Sequence, residues 1–433
     1  MSLDSTGWMG REEYSLAVTE ARTRVLAGGL AGLHHAARTL LQLLWLFRGR
    51  EVPQLVVRDR PSLAVRGAML DLAAYGRLPT LATLSGLARS LASLKMTQLH
   101  LFIRLSPDTG SWQLPLAAGD LVRLDRECWA RLVTLLPAID ILQPCSLAQL
   151  CRYTAACSAL VSCLPAARAS LHLGPCLSSV ILGAAAQGEA AHVFSALPGL
   201  LGISPDTGLV LCSNSLASLA APEQLLASLP AHVTFIEYGF QADHPFPASL
   251  GAAARAGGGQ LVCAGTSSWG CLVGRPRNMA ANILGAVAAA EASCGRGLVV
   301  ASWAASPALA PLASSLPGWV LGLGAAWNSA VTADSEAEVT SRLGEVLLTT
   351  YLHIYLSPPR FLGVEPARVL GRGRQLGRGA AGAGRGGGRG GGWGGPGLRP
   401  RLLAAALHPA QARHRGPGGR HHRRHPGPLH PGI

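Results

Sequence analysis

Between Ser62 and Asn328 the chain alternates a short apolar run with a longer Ala- and Leu-rich stretch, and does so eight times. The apolar runs predict strands at Ala64–Leu72, Gln98–Arg104, Ala138–Leu142, Leu171–Gly174, Gly208–Cys212, Val233–Tyr238, Leu261–Gly265 and Gly297–Trp303. Eight strand-then-helix units over about 250 residues match the size of a (β/α)8 barrel. An open doubly wound sheet is the competing α/β arrangement, because the same alternation permits it. The count of eight favours the barrel.

Apolar residues make up 49% of the 433 residues and mean hydropathy is +0.29, so the body can bury a sizeable core. The net charge of +14 suggests a polyanion partner until it is divided along the chain. Residues 371–433 hold 12 Arg and no acidic residue, which leaves residues 1–370 with 25 basic and 23 acidic residues, a net of +2. The basicity belongs to the C-terminal segment. Ten cysteines are too few and too scattered for a disulfide scaffold. Cys145, Cys151, Cys157 and Cys163 recur every six residues, fit no zinc spacing, and read as small apolar fillers. No metal or cofactor is expected. The N-terminal run MSLDSTGWMGREEYSL has no basic start followed by an apolar core. Val25–Phe47 is interrupted by His34, His35, Arg38 and Gln42. The expectation is therefore no signal peptide, no membrane span, and a cytoplasmic or nuclear location.

Residues 11–57 form a separate unit: Tyr14–Val18 alternates like a strand, Ala27–Gly32 is a Gly-rich turn, and Leu33–Leu44 has helical spacing. So small a unit must lean on a neighbour to bury its apolar face. Its Tyr14, Leu16, Val18 and Gln42-Leu43-Leu44, with Glu12 leading, resemble the small α/β domain that precedes the barrel of glycoside hydrolase family 20, the β-N-acetylhexosaminidases. Four further blocks carry the same resemblance. They are PSLAVRGAMLDL (Pro61–Leu72), FIEYGFQADHPF (Phe235–Phe246), AGTSSWGCLVGRPRNMAANI (Ala264–Ile283) and LPGWVLGLGAAWN (Leu316–Asn328). The resemblance covers roughly residues 11–330. It implies a small N-terminal α/β domain at 11–57 and a (β/α)8 barrel at 62–330. A helical extension is expected over 331–370, and a disordered Gly/Arg/His-rich tail over 371–433.

The family's chemistry is substrate-assisted: the acetamido oxygen of a terminal N-acetylhexosamine attacks the anomeric carbon. An Asp orients that group, and the adjacent Glu serves as acid and then base. In LHLGPCLSSVILG (Leu171–Gly183) the family's Cys and closing Leu-Gly persist as Cys176 and Leu182-Gly183, while the positions of the carboxylate pair read Leu177 and Ser178. From Gly174 to Gln187 there is no Asp or Glu. Other strand ends also depart from the pattern: LQPCSL (Leu142–Leu147), LCSNS (Leu211–Ser215) and ASWAA (Ala301–Ala305) lack the family's polar residues. The resemblance assigns Arg66 to the sugar hydroxyls near C3 and C4, with pairing to Asp71 as the structural alternative. Glu237, Tyr238, Asp243, His244, Trp269 and Trp303 are candidate sugar contacts. For Trp269 and Trp303, packing at the barrel mouth is the alternative.

Three functional readings result. The first is a hexosaminidase-like barrel with impaired or lost catalysis, binding carbohydrate or a protein partner. The second is an active hexosaminidase with a rearranged acid, Glu237 and Asp243 being the candidate replacement couple. The third is a nucleic-acid-associated protein whose Arg/Gly-rich tail binds RNA or another polyanion.

Overall fold

The computed structural model describes residues 1–71, 79–113, 116–220, 222–247, 250, 260–272, 274–293, 295–304 and 310–329. The segments expected as a helical extension (331–370) and a disordered tail (371–433) lie outside the described residues.

A four-stranded sheet opens the chain: β1 (Ser2–Leu3), β2 (Tyr14–Val18), β3 (Thr23–Ala27) and β4 (Leu55–Asp59), in spatial order β1-β3-β2-β4. Strand alternation sends Tyr14, Leu16, Val25 and Ala27 to one face, where all four are buried. Helix α1 (Leu30–Leu46) covers that face with Gly32, His35 and Ala36 turned inward. The domain is larger than the expected 11–57. It takes in Ser2–Leu3, too short to show a period, and runs on to Asp59, where Arg58 and Asp59 dilute the apolar pattern.

Eight parallel strands then close into a barrel. They are β5 (Val65–Asp71), β6 (Gln98–Leu105), β8 (Thr134–Asp140), β9 (Ser170–Leu173), β10 (Gly208–Cys212), β11 (Val233–Tyr238), β12 (Gln260–Gly265) and β13 (Gly297–Ser302). The closure is a pairing of β13 with β5. A two-residue strand, β7 (Trp112–Gln113), pairs antiparallel with the end of β6. All eight expected strands are present, and the open sheet is excluded. The largest difference is β8, which begins four residues before the expected Ala138. Pro137 hid that start, and the ladder to β9 begins only past it, at Ala138.

The barrel helices among the described residues are α2 (Leu81–Ser93), α3 (Ala118–Trp129), α4 (Thr154–Cys163), α5 (Pro165–Ala169), α6 (Pro175–Ala184), α7 (Ala190–Leu201), α8 (Pro222–Ala227), α9 (Pro276–Ala292) and α10 (Leu316–Trp327). One face of each strand packs on them, as Ala68 and Leu70 of β5 do with Trp319 of α10 in the outer core. The alternate face fills the barrel: Met69, Phe102, Val210, Ile236, Tyr238, Cys263, Val299 and Trp303 form a second buried cluster. The nine cysteines described are free, Cys157 buried and Cys151 exposed. None of the described helices is long and apolar enough to cross a membrane.

The small domain is pinned to the N-terminal ends of the first two barrel strands. Arg66, second residue of β5, is fully buried and meets Glu12 of the small domain through both terminal nitrogens, at 3.2 and 2.7 Å. The rest of its guanidinium donates to the carbonyls of Leu63, Ala64 and Lys95. Beside it, Lys95 donates to Asp59 of β4 (3.0 Å) and to Tyr14 Oη (2.9 Å). The Trp327 ring lies under both cations, and its Nε1–H donates to Asp59 at 2.9 Å. Burial pushes the Glu12 carboxyl upward, but the hydrogen bonds from His35 and Arg66 outweigh it and hold the pKa at about 2 against an ordinary 4.5.

Replacing Glu12 by Gln leaves the Arg66 charge buried without a counter-charge. The expected cost at neutral pH is about 3–5 kcal/mol in urea unfolding. The stability Glu12 confers is fully present above pH 4.5 and is lost as pH falls towards about 2. The gap between wild type and variant should therefore close across that window, and a pH-independent gap would contradict the assignment.

Candidate functional site

A barrel of this kind works at the C-terminal ends of its strands. The lumen-facing residues at those ends begin with Asp71 of β5, Arg104 of β6 and Asp140 of β8. Arg104 lies 3.3 Å from Asp71 and is in register with Asp140. Asp71 also accepts the backbone N–H of Ala304, at 3.4 Å.

Asp140 is committed elsewhere. Its two oxygens accept the backbone N–H groups of Cys176 (3.3 Å) and Leu177 (2.8 Å), in the first turn of α6. A carboxylate there satisfies the helix's unpaired donors. Burial still leaves the Asp140 pKa above the usual value, despite those bonds and the nearby Arg104. Only Gly174 separates β9 from α6. A Cβ on Gly174 would stand 2.5 Å from the Asp140 carboxyl carbon, so glycine alone fits the joint.

Leu177 and Ser178, which the sequence resemblance sets against the family's carboxylate pair, both point away from the mouth. Leu177 is fully buried in the outer core with Ile181 and Leu182. Ser178 Oγ donates to the Leu173 carbonyl (3.0 Å) and accepts the Cys212 N–H (2.9 Å), stitching β9 to β10.

The other sequence-derived candidates divide. Arg66 is a correction: it lies at the opposite end of its strand from the mouth, sealed by Glu12 and three carbonyls, and cannot reach a ligand there. Its partner is Glu12, not Asp71. Glu237 points to the helix side of β11 with Phe235 and is buried. It accepts from Ser213 Oγ, from Asn214 Nδ2 (3.2 Å) and pairs with His244 Nε2 (3.1 Å). With Asn214 also bonding both backbone groups of Tyr238, these contacts lock the loops after β10 and β11. Asp243 is exposed. Tyr238, Trp269 and Trp303 do come together at the mouth, through Phe240. Trp303 packs edge-on against Phe102 (4.9 Å between centroids) and Phe240 (5.7 Å), and Trp269 stands edge-on to Phe240 at 5.6 Å. Trp303 is 5% exposed, and its indole N–H has no hydrogen-bond partner among the described residues.

Below this layer runs a polar chain that sequence reasoning missed. Tyr238 Oη meets His172 Nε2 at 2.6 Å, His172 Nδ1 meets His100 Nδ1 at 3.1 Å, and His100 Nε2 meets Gln98 Oε1 at 3.0 Å. With Gln98 Oε1 accepting, His100 carries its proton on Nε2 and His172 on Nδ1, and Tyr238 donates. Burial keeps both rings neutral, His100 at about 4 and His172 well below its usual value. The signal available was spacing: His100 and Phe102 share a face of β6, so a histidine there had to enter the lumen. Asp71, Arg104 and Asp140 were likewise findable as strand-end residues on the lumen face. Among the described residues no group of His, Cys, Asp or Glu is placed to hold a metal ion.

In sequence, residues 2–60 match the family model described as Glycosyl hydrolase family 20, domain 2. In fold, the chain is similar to the crystal structure of a beta-N-acetylhexosaminidase, with TM-score 0.58 and 16% identity over 81% of this chain and 91% of that one. The beta-N-acetylhexosaminidase from Bacteroides fragilis NCTC 9343 gives TM-score 0.58 and 15% identity, over 79% and 83% of the two chains. A mutant Streptomyces plicatus beta-hexosaminidase in complex with product (GlcNAc) gives 0.54 and 17%, over 80% and 81%. The fold is that of the β-N-acetylhexosaminidases. No curated protein matches the chain in sequence at a significant level. The resemblance read from the motifs thus holds in sequence for the small domain and in fold for the barrel.

The joint after β9 is testable. Gly174→Ala forces a methyl group into the Asp140 carboxylate and should destabilise the fold by about 1–3 kcal/mol in a thermal melt. Gly86→Ala in α2, where a Cβ meets nothing, should instead be neutral or stabilising by up to about 1 kcal/mol. Equal effects would contradict this account of the corner.

Proposed function

We propose that the protein is a hexosaminidase-like barrel that has lost hydrolysis and binds an N-acetylhexosamine-containing carbohydrate at its mouth. The observation that carries the loss is the corner after β9. There the chain passes from strand to helix through one glycine, Leu177 is buried in the outer core, and Asp140 is engaged by the helix N-terminus. A glycosidase needs a carboxyl group free to give a proton to the leaving oxygen. Three of the described carboxylates near the mouth are already engaged: Asp71 with Arg104, Asp140 with α6, and Glu237 with Ser213, Asn214 and His244. This favours lost catalysis over a rearranged acid, since Glu237 is clamped behind its strand and Asp243 stands in solvent.

Binding is supported by Trp303. A buried indole N–H without a partner costs about 1–3 kcal/mol, and a ligand oxygen reaching it would recover that. Aromatic edges and faces around it, from Phe102, Tyr238, Phe240 and Trp269, suit the apolar face of a sugar ring. The carbohydrate class is carried over from the proteins of similar fold, one of which holds GlcNAc.

The purified protein should not turn over a chromogenic β-N-acetylglucosaminide, because absence of a positioned acid costs about 10²- to 10⁴-fold. Intrinsic tryptophan fluorescence should nevertheless shift on addition of N-acetylglucosamine, and Trp303→Phe should abolish the shift. The double substitution Leu177→Asp, Ser178→Glu should restore no activity and should lower stability, since both side chains enter the core. Saturable turnover that disappears in Glu237→Gln would overturn the loss of catalysis. A silent fluorescence titration would overturn the binding.

A further inference from the structure

Among the described residues fourteen large apolar side chains stand exposed, and ten of them lie within residues 1–60, so the small domain carries most of this surface. Helix α1 gathers four of the ten into a stripe. At 100° per residue, Leu30, Leu41, Leu44 and Trp45 fall in a sector of about 100°, opposite the buried Gly32, His35 and Ala36. Leu30 is 72% exposed, Leu41 58% and Trp45 44%. The outward stripe of a helix packed on a sheet is ordinarily polar. This one is apolar over a helix of 17 residues, about 25 Å long.

A second group joins it from the barrel. Trp129, the last residue of α3, is 76% exposed, and Leu132 is exposed in the turn that follows. That turn lies near α1. Gln42 of α1 donates to the carbonyl of Ser93, the last residue of α2 (3.2 Å), and the Thr97 carbonyl just beyond accepts the N–H of Thr134, where β8 begins (2.8 Å). Arginines border the apolar side chains: Arg38 on α1, Arg48 and Arg50 just after it, and Arg131 between Trp129 and Leu132. Among the described residues none of the four has a carboxylate within 4.0 Å. From Leu30 to Arg50 there is no acidic residue at all. Arg38 Nε meets only the ring nitrogen of His34, at 3.4 Å, and burial together with the Arg131 charge holds the Arg38 pKa below its ordinary value.

We propose that this face rests on an anionic lipid bilayer, with Leu41, Leu44, Trp45 and Trp129 entering the headgroup layer and Arg38, Arg48 and Arg131 meeting lipid phosphates. The composition of the face selects this occupant. A helix that lies in a bilayer interface sets Leu and Trp into the lipid and keeps arginines beside them. Trp suits that boundary because its ring is apolar and its N–H polar. A guanidinium donates two parallel hydrogen bonds to a phosphate and brings the opposite charge. The absence of acid along α1 removes the repulsion that anionic headgroups would otherwise meet. A second copy of the chain fits less well, since a two-fold contact between identical patches would set arginine against arginine.

Vesicles of phosphatidylserine and acyl-brominated phosphatidylcholine, mixed with the full-length protein, test this. Bromine quenches only indoles that enter the bilayer, so tryptophan emission should fall on mixing. Trp45→Phe and Trp129→Phe together should remove most of that fall. Leu41→Ser with Leu44→Ser should weaken co-sedimentation by about tenfold or more, and Arg38→Gln and Arg131→Gln by about fivefold each. All of these side chains are exposed or half-buried, so each variant should melt like wild type. Vesicles of phosphatidylcholine alone should bind far less protein, and equal binding to them overturns the anionic requirement. No co-sedimentation overturns the proposal. So does co-sedimentation without quenching, or quenching that persists without Trp45 and Trp129, because the contact then lies elsewhere, as on the Arg-rich residues 371–433. A concentration-dependent rise in mass that Leu41→Ser, Leu44→Ser abolishes makes α1 an interface between copies and equally overturns it.

Discussion

A guanidinium sealed from water must be fully paired or it unfolds what surrounds it, and Arg66 is the group this structure is assembled around. Its five N–H donors reach one carboxylate and three carbonyls, drawn from the small domain, from the start of the first barrel strand and from the turn before the second. Neither domain satisfies Arg66 alone. The adjacent Lys95, Asp59, Tyr14 and Trp327 repeat the arrangement, so two buried cations hold the sheet of one domain against the rim of the other. Breaking such a pair costs more than forming it gains. The arrangement therefore sets which way the domains face each other more than how stable each one is.

This reliance on fixed partners explains what could and could not be read from residues alone. The eight strands are legible because each is a run of apolar residues bounded by polar turns, and β8, with Pro137 inside it, departs most from expectation at its start. The role of Arg66 was not legible. A strand arginine followed by Gly-x-Met-Leu-Asp says nothing about which end of the barrel the side chain faces. Face follows from register, and register was visible only with the neighbours paired. The same reason separates Glu237 from Tyr238: adjacent in sequence, they lie on opposite sides of β11, one holding loops and the other lining the lumen.

The candidate site shows how polar groups in a lumen are kept quiet. Tyr238, His172, His100 and Gln98 pass hydrogen bonds in a single direction, and each ring nitrogen has one role. Adding a proton to His100 at Nδ1 would set it against the Nδ1–H of His172, in a place from which water is excluded. The buried carboxylates Asp71, Asp140 and Glu237 are treated alike, matched to a cation, a helix N-terminus and a hydroxyl. Among the described residues the Trp303 indole N–H has no partner. Such a mouth offers a donor that a ligand acceptor could meet.

The single glycine between β9 and α6 has a consequence for how this barrel could change. Three positions of that corner are packed: Asp140 fills the space beside Gly174, Leu177 fills the space behind the strand, and Ser178 spans to the next one. Substitution at Leu177 or Ser178 only swaps one buried side chain for another. A carboxylate presented to the lumen there would need added length, so that the helix starts later and a loop stands free. A lumen carboxylate at this strand would therefore come by insertion rather than by replacing Leu177 or Ser178, whose side chains point into the packed outer side.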